Sequence, residues 1–114
     1  VIMNRAFGYV TVLDSTFDNN VANQFGGAIC NIGEMLVSDS TFLDNSATRG
    51  GAIFNTGETG YNPVTQLTIA NSEFTNNVAT EGNSIFNAHN AMLFTENIQC
   101  GDEECITQEI VDDE

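Results

Sequence analysis

Basic residues are almost missing from this 114-residue chain: it has no lysine and only Arg5 and Arg49 against 16 acids, a formal charge of −14. Nucleic acid is gripped by lysine and arginine displacing phosphate counterions, so no nucleic-acid partner is expected. An anionic membrane surface is disfavoured on the same ground. No apolar run approaches the ~18 residues needed to cross a bilayer, so no direct membrane insertion is expected in this segment. There is no amphipathic stretch of 3.6-residue period of useful length, which argues against helices. Cysteine is scarce too. Cys100 and Cys105 bracket Gly-Asp-Glu-Glu, a loop short enough to close as a disulfide in an oxidising compartment, with two idle thiols as the alternative. Without a matching pair or a nearby histidine they make a poor zinc site. EF-hand, P-loop and HExxH spacings are absent, and no cofactor is implied.

What the chain has is repetition. Gly26-Gly27-Ala28-Ile29-Cys30-Asn31 returns as Gly50-Gly51-Ala52-Ile53-Phe54-Asn55, weakens at Gly82-Asn83-Ser84-Ile85-Phe86-Asn87, and leaves its tail at Ile2-Met3-Asn4. Between the copies stand Ser15-Thr16-Phe17-Asp18-Asn19-Asn20, Ser40-Thr41-Phe42-Leu43-Asp44-Asn45 and Ser72-Glu73-Phe74-Thr75-Asn76-Asn77. A step of about 24 residues indicates a solenoid. Each repeat offers three short runs of period two: an aliphatic pair such as Val10-x-Val12, then Ser-x-Phe, then Gly-Ala-Ile-x-Asn. Such runs, broken by Gly, Asn and Asp, read as strands and turns. The fold expected is all-β, a parallel β-helix of about four coils with three strands each.

Stacking the coils aligns their side chains. One expected column is Phe17, Phe42, Phe74 and Ile98; another is Val12, Val37, Ile69 and Leu93; a third is Ile2, Ile29, Ile53 and Ile85. Equivalent side chains in adjacent coils lie about 4.8 Å apart, so like piles on like. Asn4, Asn31, Asn55 and Asn87 form a polar column, as do Asn20, Asn45 and Asn77, whose amides can bond along the stack. With the isoleucines inside, period two turns Met3, Cys30, Phe54 and Phe86 outward as an apolar row; an inverted register would make them core.

The period breaks once. Eight extra residues, Thr59–Gln66, separate Asn55 from the next strand, and they hold the only proline and one of two tyrosines. Gly60 and Pro63 bracket Tyr61-Asn62, a turn that would offer an aromatic face and an amide to a sugar ring or a protein. A tolerated insertion without a role is the competing reading. The last coil decays, and residues 1–101 read as the repeat region with 102–114 as an acidic tail. The start on Val1, in mid-phrase, reads as a piece of a longer protein with further coils expected upstream.

The paired phrases GGA[ILV] and FxxN resemble the repeats of chlamydial polymorphic outer membrane proteins. Gly26–Ile29 and Gly50–Ile53 carry the first; Phe17–Asn20, Phe42–Asn45 and Phe74–Asn77 carry the second. The resemblance implies a right-handed β-helix, the handedness favoured for parallel crossovers in general. It also implies an extracellular or cell-surface passenger, outer-membrane-associated and used in adhesion.

Right-handed β-helices also serve as pectate lyases, polygalacturonases and esterases, so the residues must decide. Glycoside hydrolysis needs two converging carboxylates. The acids here are spread over equivalent turns, Asp14 with Asp39 and Asp18 with the Leu43 slot, and no dyad stands out. Lyase chemistry on acidic sugars wants bases, and Arg49 before the Gly50 corner reads as a surface charge, His89 as a solvated turn residue. The better expectation is a non-catalytic module whose partners are carbohydrate or protein surfaces. A fragment of a polysaccharide-active enzyme and a purely structural spacer are the alternatives.

Overall fold

The computed structural model describes residues 1–57, 65–101 and 105–109, and among them every element is a strand. Four parallel sheets run along the stack. The first sheet contains β1 (Ile2–Asn4), β4 (Ile29–Asn31), β8 (Ile53–Asn55), β12 (Ile85–Asn87) and β15 (Ile106–Gln108), hydrogen-bonded in that order. In the second, β2 (Tyr9–Leu13) is followed by β5 (Glu34–Ser38), β9 (Thr65–Ala70) and β13 (Ala91–Glu96). The third joins β3 (Thr16–Asp18), β6 (Thr41–Leu43), β10 (Glu73–Thr75) and β14 (Gln99–Cys100). A two-stranded fourth pairs β7 (Ser46–Arg49) with β11 (Val78–Glu81). All pairings are parallel with in-register neighbours one coil apart, which makes the chain a parallel β-helix.

Like-on-like stacking fills the interior. Phe17, Phe42 and Phe74 lie face to face at 4.8 Å spacing, tilted by 5° and 4°. Ile29, Ile53 and Ile85 are fully buried, as are Val37 and Ile69. Burying each such side chain contributes about 1.5–3 kcal/mol, spread evenly along the axis. The corners between sheets demand left-handed backbone, and the repeat supplies Asp or Asn there. Asp14, Asp39, Asn71 and Asn97 form one such series (φ 50–57°) and Asn19, Asp44 and Asn76 another. These short polar residues tolerate that conformation best after glycine, so several turn acids have a backbone role.

Three features differ from the sequence-based expectation. The last coil is shifted by two residues: Leu93 stacks on Leu67 and Thr95 on Ile69, while Cys100, not Ile98, follows Phe74. The cause is corner length. Asn31 is followed four residues later by the inward Met35, whereas Asn87 reaches its counterpart Leu93 only after six. Secondly, the stretch read as a tail contributes β15, where Ile106 and Gln108 imitate the Ile-x-Asn phrase on top of Ile85 and Asn87. Thirdly, β7 and β11 add a fourth strand to the middle coils. Of the insertion Thr59–Gln66, Thr65 and Gln66 belong to β9; Thr65 is buried, and its hydroxyl donates to the Ile32 carbonyl.

Candidate functional site

Where β7 meets β8 the chain reverses sharply at Gly50 (φ 66°), and a Cβ there would run into the Ile53 carbonyl. Gly26 and Gly82 make the same turn before β4 and β12 (φ 61° and 66°). Only glycine adopts this backbone without strain. Each turn folds an arm of chain back across the outer face of the first sheet. The arms are residues 21–25, bridged to β7 at Val21 and Phe25, then β7 itself, then β11. Between arm and sheet runs a groove along the stack.

Its floor is the column Met3, Cys30, Phe54, Phe86 and Thr107. Phe54, Phe86 and Ala88 form a cluster apart from the main core, with Cys30 packed against it. The expectation of an exposed row therefore needs correcting. Met3 is exposed and Cys30 half-buried, but Phe54 and Phe86 are only 6% and 3% accessible. The arm side chains cover them. Phe25 stacks on Phe54 with centroids 4.5 Å apart. The Arg49 guanidinium carbon lies 5.3 Å above the Phe86 ring, while its Nε donates to Glu81 Oε1 at 2.7 Å. The cation–π contact contributes about 0.5–1 kcal/mol. The exposed ion pair adds 0–1 kcal/mol in the typical case, about the same scale.

Phe25 and Arg49 thus each lie over the floor residue one rung further on. One opening of about 420 Å³ is lined by Met3, Ala22, Asn23, Gln24, Phe25 and Cys30. Another of about 370 Å³ is lined by Arg49, Glu81, Phe86, Thr107, Gln108 and Glu109. Burial pushes the Cys30 thiol above its ordinary pKa, so it is a poor nucleophile. At the far end His89 holds Glu109: its backbone N–H donates to Oε1 at 3.1 Å and its Nδ1 lies 3.0 Å from the same atom. The side-chain bond first, then the backbone bond, lowers the Glu109 pKa. Cys100 and Cys105 are joined as a disulfide beside the core.

Phe25, Arg49 and Glu81 were not singled out as one set by the sequence. A signal existed, since each directly precedes the turn glycine, but the three are chemically unlike. Asp14, Asp39 and Asp44 stand at left-handed corners, and Asp39 accepts the hydroxyl of its neighbour Ser38 at 2.9 Å. Among the described residues, no group of three or more His, Cys, Asp or Glu could hold a metal ion. Tyr61 and Asn62 lie outside the described residues.

Residues 14–32 and 39–56 match the Chlamydia polymorphic membrane protein (Chlamydia_PMP) repeat. Both matched segments end in a ladder strand, β4 and β8, and both contain an Ser-x-Phe strand, an arm and the turn glycine. The matched repeat thus supplies one arm and one floor strand in each of two coils. It points to a surface or outer-membrane passenger-type protein. No curated protein and no solved structure matches the chain.

Proposed function

We propose that this chain is a non-catalytic stretch of a surface-displayed β-helix, adhesin-like, that binds protein or carbohydrate surfaces. One observation carries the reading. The repeat builds an arm across an apolar floor, and on that arm the Phe25 ring stacks on Phe54 while remaining 41% accessible. An accessible aromatic over an apolar floor suits the face of a sugar ring or an aliphatic side chain. Acids fixed at left-handed corners serve the backbone, which favours binding over hydrolysis.

The test compares the chain with Phe25→Ala on a glycan array and on intact cells. Binding that drops at least tenfold in the variant, with melting retained, supports the groove as the site. Equal binding by both moves the site elsewhere, and no binding by either favours a structural spacer. Incubation with pectin and alginate, read by new reducing ends or unsaturated products, separates the enzyme reading: turnover that survives purification would overturn the proposal.

A further inference from the structure

The β15 rung is reached by a different route from the others. From the Phe column to the Ile column the chain takes twelve residues from Phe17 to Ile29 and eleven from Phe42 to Ile53 and from Phe74 to Ile85. From Cys100 to Ile106 it takes six. That span is too short for an arm, and the disulfide Cys100–Cys105 closes it with the two Cα atoms 5.7 Å apart. The preceding turn is adapted to the missing arm. At Gly27 and Gly51 a Cβ would run first into the carbonyl of the next turn, Gly51 and Asn83, and then into the backbone of the next arm, at Ser46 and at Val78. Asn83 occupies the equivalent place in the last turn, and its Oδ1 accepts the Ala79 N–H at 3.1 Å. Among the described residues no arm stands between β14 and β15, and β15 is held without one.

β15 has few other fasteners. It pairs with β12 over three residues and along one edge. Ile85 N donates to the Cys105 carbonyl and Glu109 N to the Asn87 carbonyl, both at 2.8 Å. Gln108 Oε1 accepts from Asn87 Nδ2 at 2.7 Å. Ile106 remains 37% accessible where Ile85, one rung below, is fully buried. We infer that β15 is a disulfide-clasped cap: a dithiol reductant opens Cys100–Cys105 and releases the rung, uncovering Ile85 and the free edge of β12 while the rest of the stack stays closed. The step balances as thiol–disulfide exchange. One reductant thiolate attacks a cystine sulfur and expels the other cysteine; the reductant's second thiolate then attacks the first reductant sulfur and expels the remaining cysteine, so the chain gains two thiols as the reductant becomes a cyclic disulfide.

Hydrogen exchange on the intact chain, with and without dithiothreitol, tests this. Alkylation and mass measurement count the thiols: Cys30 alone before reduction, three after. With reduction the Ile85 and Glu109 amides should exchange ~10–100-fold faster, the scale set by losing a short-loop crosslink. Ile29, whose N–H bonds the Ala52 carbonyl three rungs below the cap, should be unchanged. A Cys100→Ser/Cys105→Ser chain should match the reduced protein without reductant. Three reactive thiols before reduction, unaltered Ile85 exchange after it, or simultaneous loss of protection at Ile29 would each overturn the clasp.

Discussion

Replacing Asn45 by alanine isolates what the polar ladder contributes. The Asn45 side chain is fully buried and makes three bonds between coils: its Oδ1 accepts from Asn20 N at 2.9 Å, and its Nδ2 donates to the Phe17 carbonyl and to Asn77 Oδ1, each at 3.0 Å. Alanine keeps the backbone N–H that also serves Asn77 Oδ1, so that oxygen retains a partner. The Asn20 N–H loses its partner, while the Phe17 carbonyl, in the β3–β6 ladder, loses one bond. A buried group left unpaired costs about 1–3 kcal/mol, which sets the predicted loss. Asn20 supplies the contrast, since its half-exposed side chain makes no recorded ladder bond and Asn20→Ala should cost less than about 1 kcal/mol. Urea unfolding of both variants with an unchanged slope reads the difference directly; at about 2 kcal/mol/M, Asn45→Ala moves the midpoint by about 0.5–1.5 M. Equal midpoints for the two variants would refute the claim that buried ladder bonds, and not asparagine content, hold the coils in register.

Gly51→Ala should lower stability by about 1–3 kcal/mol, because its methyl meets the Asn83 carbonyl and the Val78 backbone, while Asn83→Gly should cost about 1 kcal/mol through one lost bond; thermal melts that rank them the other way sink this packing account. Lowering the pH should loosen the cap from the His89 side: the folded-state pKa of Glu109 is depressed, so its contribution is complete above the ordinary carboxylate range and vanishes as pH falls through the lowered value. The His89 amide, which donates to that carboxylate, reports it; exchange that shows no such loss after correction for intrinsic rates would contradict the pairing.

Much of this was legible because a solenoid writes its contacts as a period. Phe17, Phe42 and Phe74 recur at matching phrases, so their stacking followed from counting, and the Asn4-to-Asn87 ladder followed likewise. Counting failed where corner length changed. The two added residues after Asn87 shifted the last coil by two residues, setting Leu93 on Leu67 and Cys100 on Phe74, and no phrase in the decayed last coil marked the slip. The groove was less legible still. Alternation correctly set Phe54 and Phe86 apart from the core, but what covers them depends on the Gly50 and Gly82 reversals. Those bring residues thirty-odd positions away, such as Arg49 for Phe86, onto the sheet. A local period says which way a side chain points and nothing about what folds back over it.

The side-chain amides of the ladder all donate in the same direction, from Asn4 to Asn31, to Asn55, to Asn87 and on to Gln108, at 2.7–2.9 Å. Ser15 and Ser40 repeat that sense, each backbone N–H donating to the hydroxyl of the next rung. The column is consequently a polar wire with an acceptor at one end and a donor at the other. A coil inserted upside down would set oxygen against oxygen and nitrogen against nitrogen on every ladder at once. Coils of this type are then interchangeable parts only when they face the same way, so duplication in tandem extends the stack and inversion breaks it.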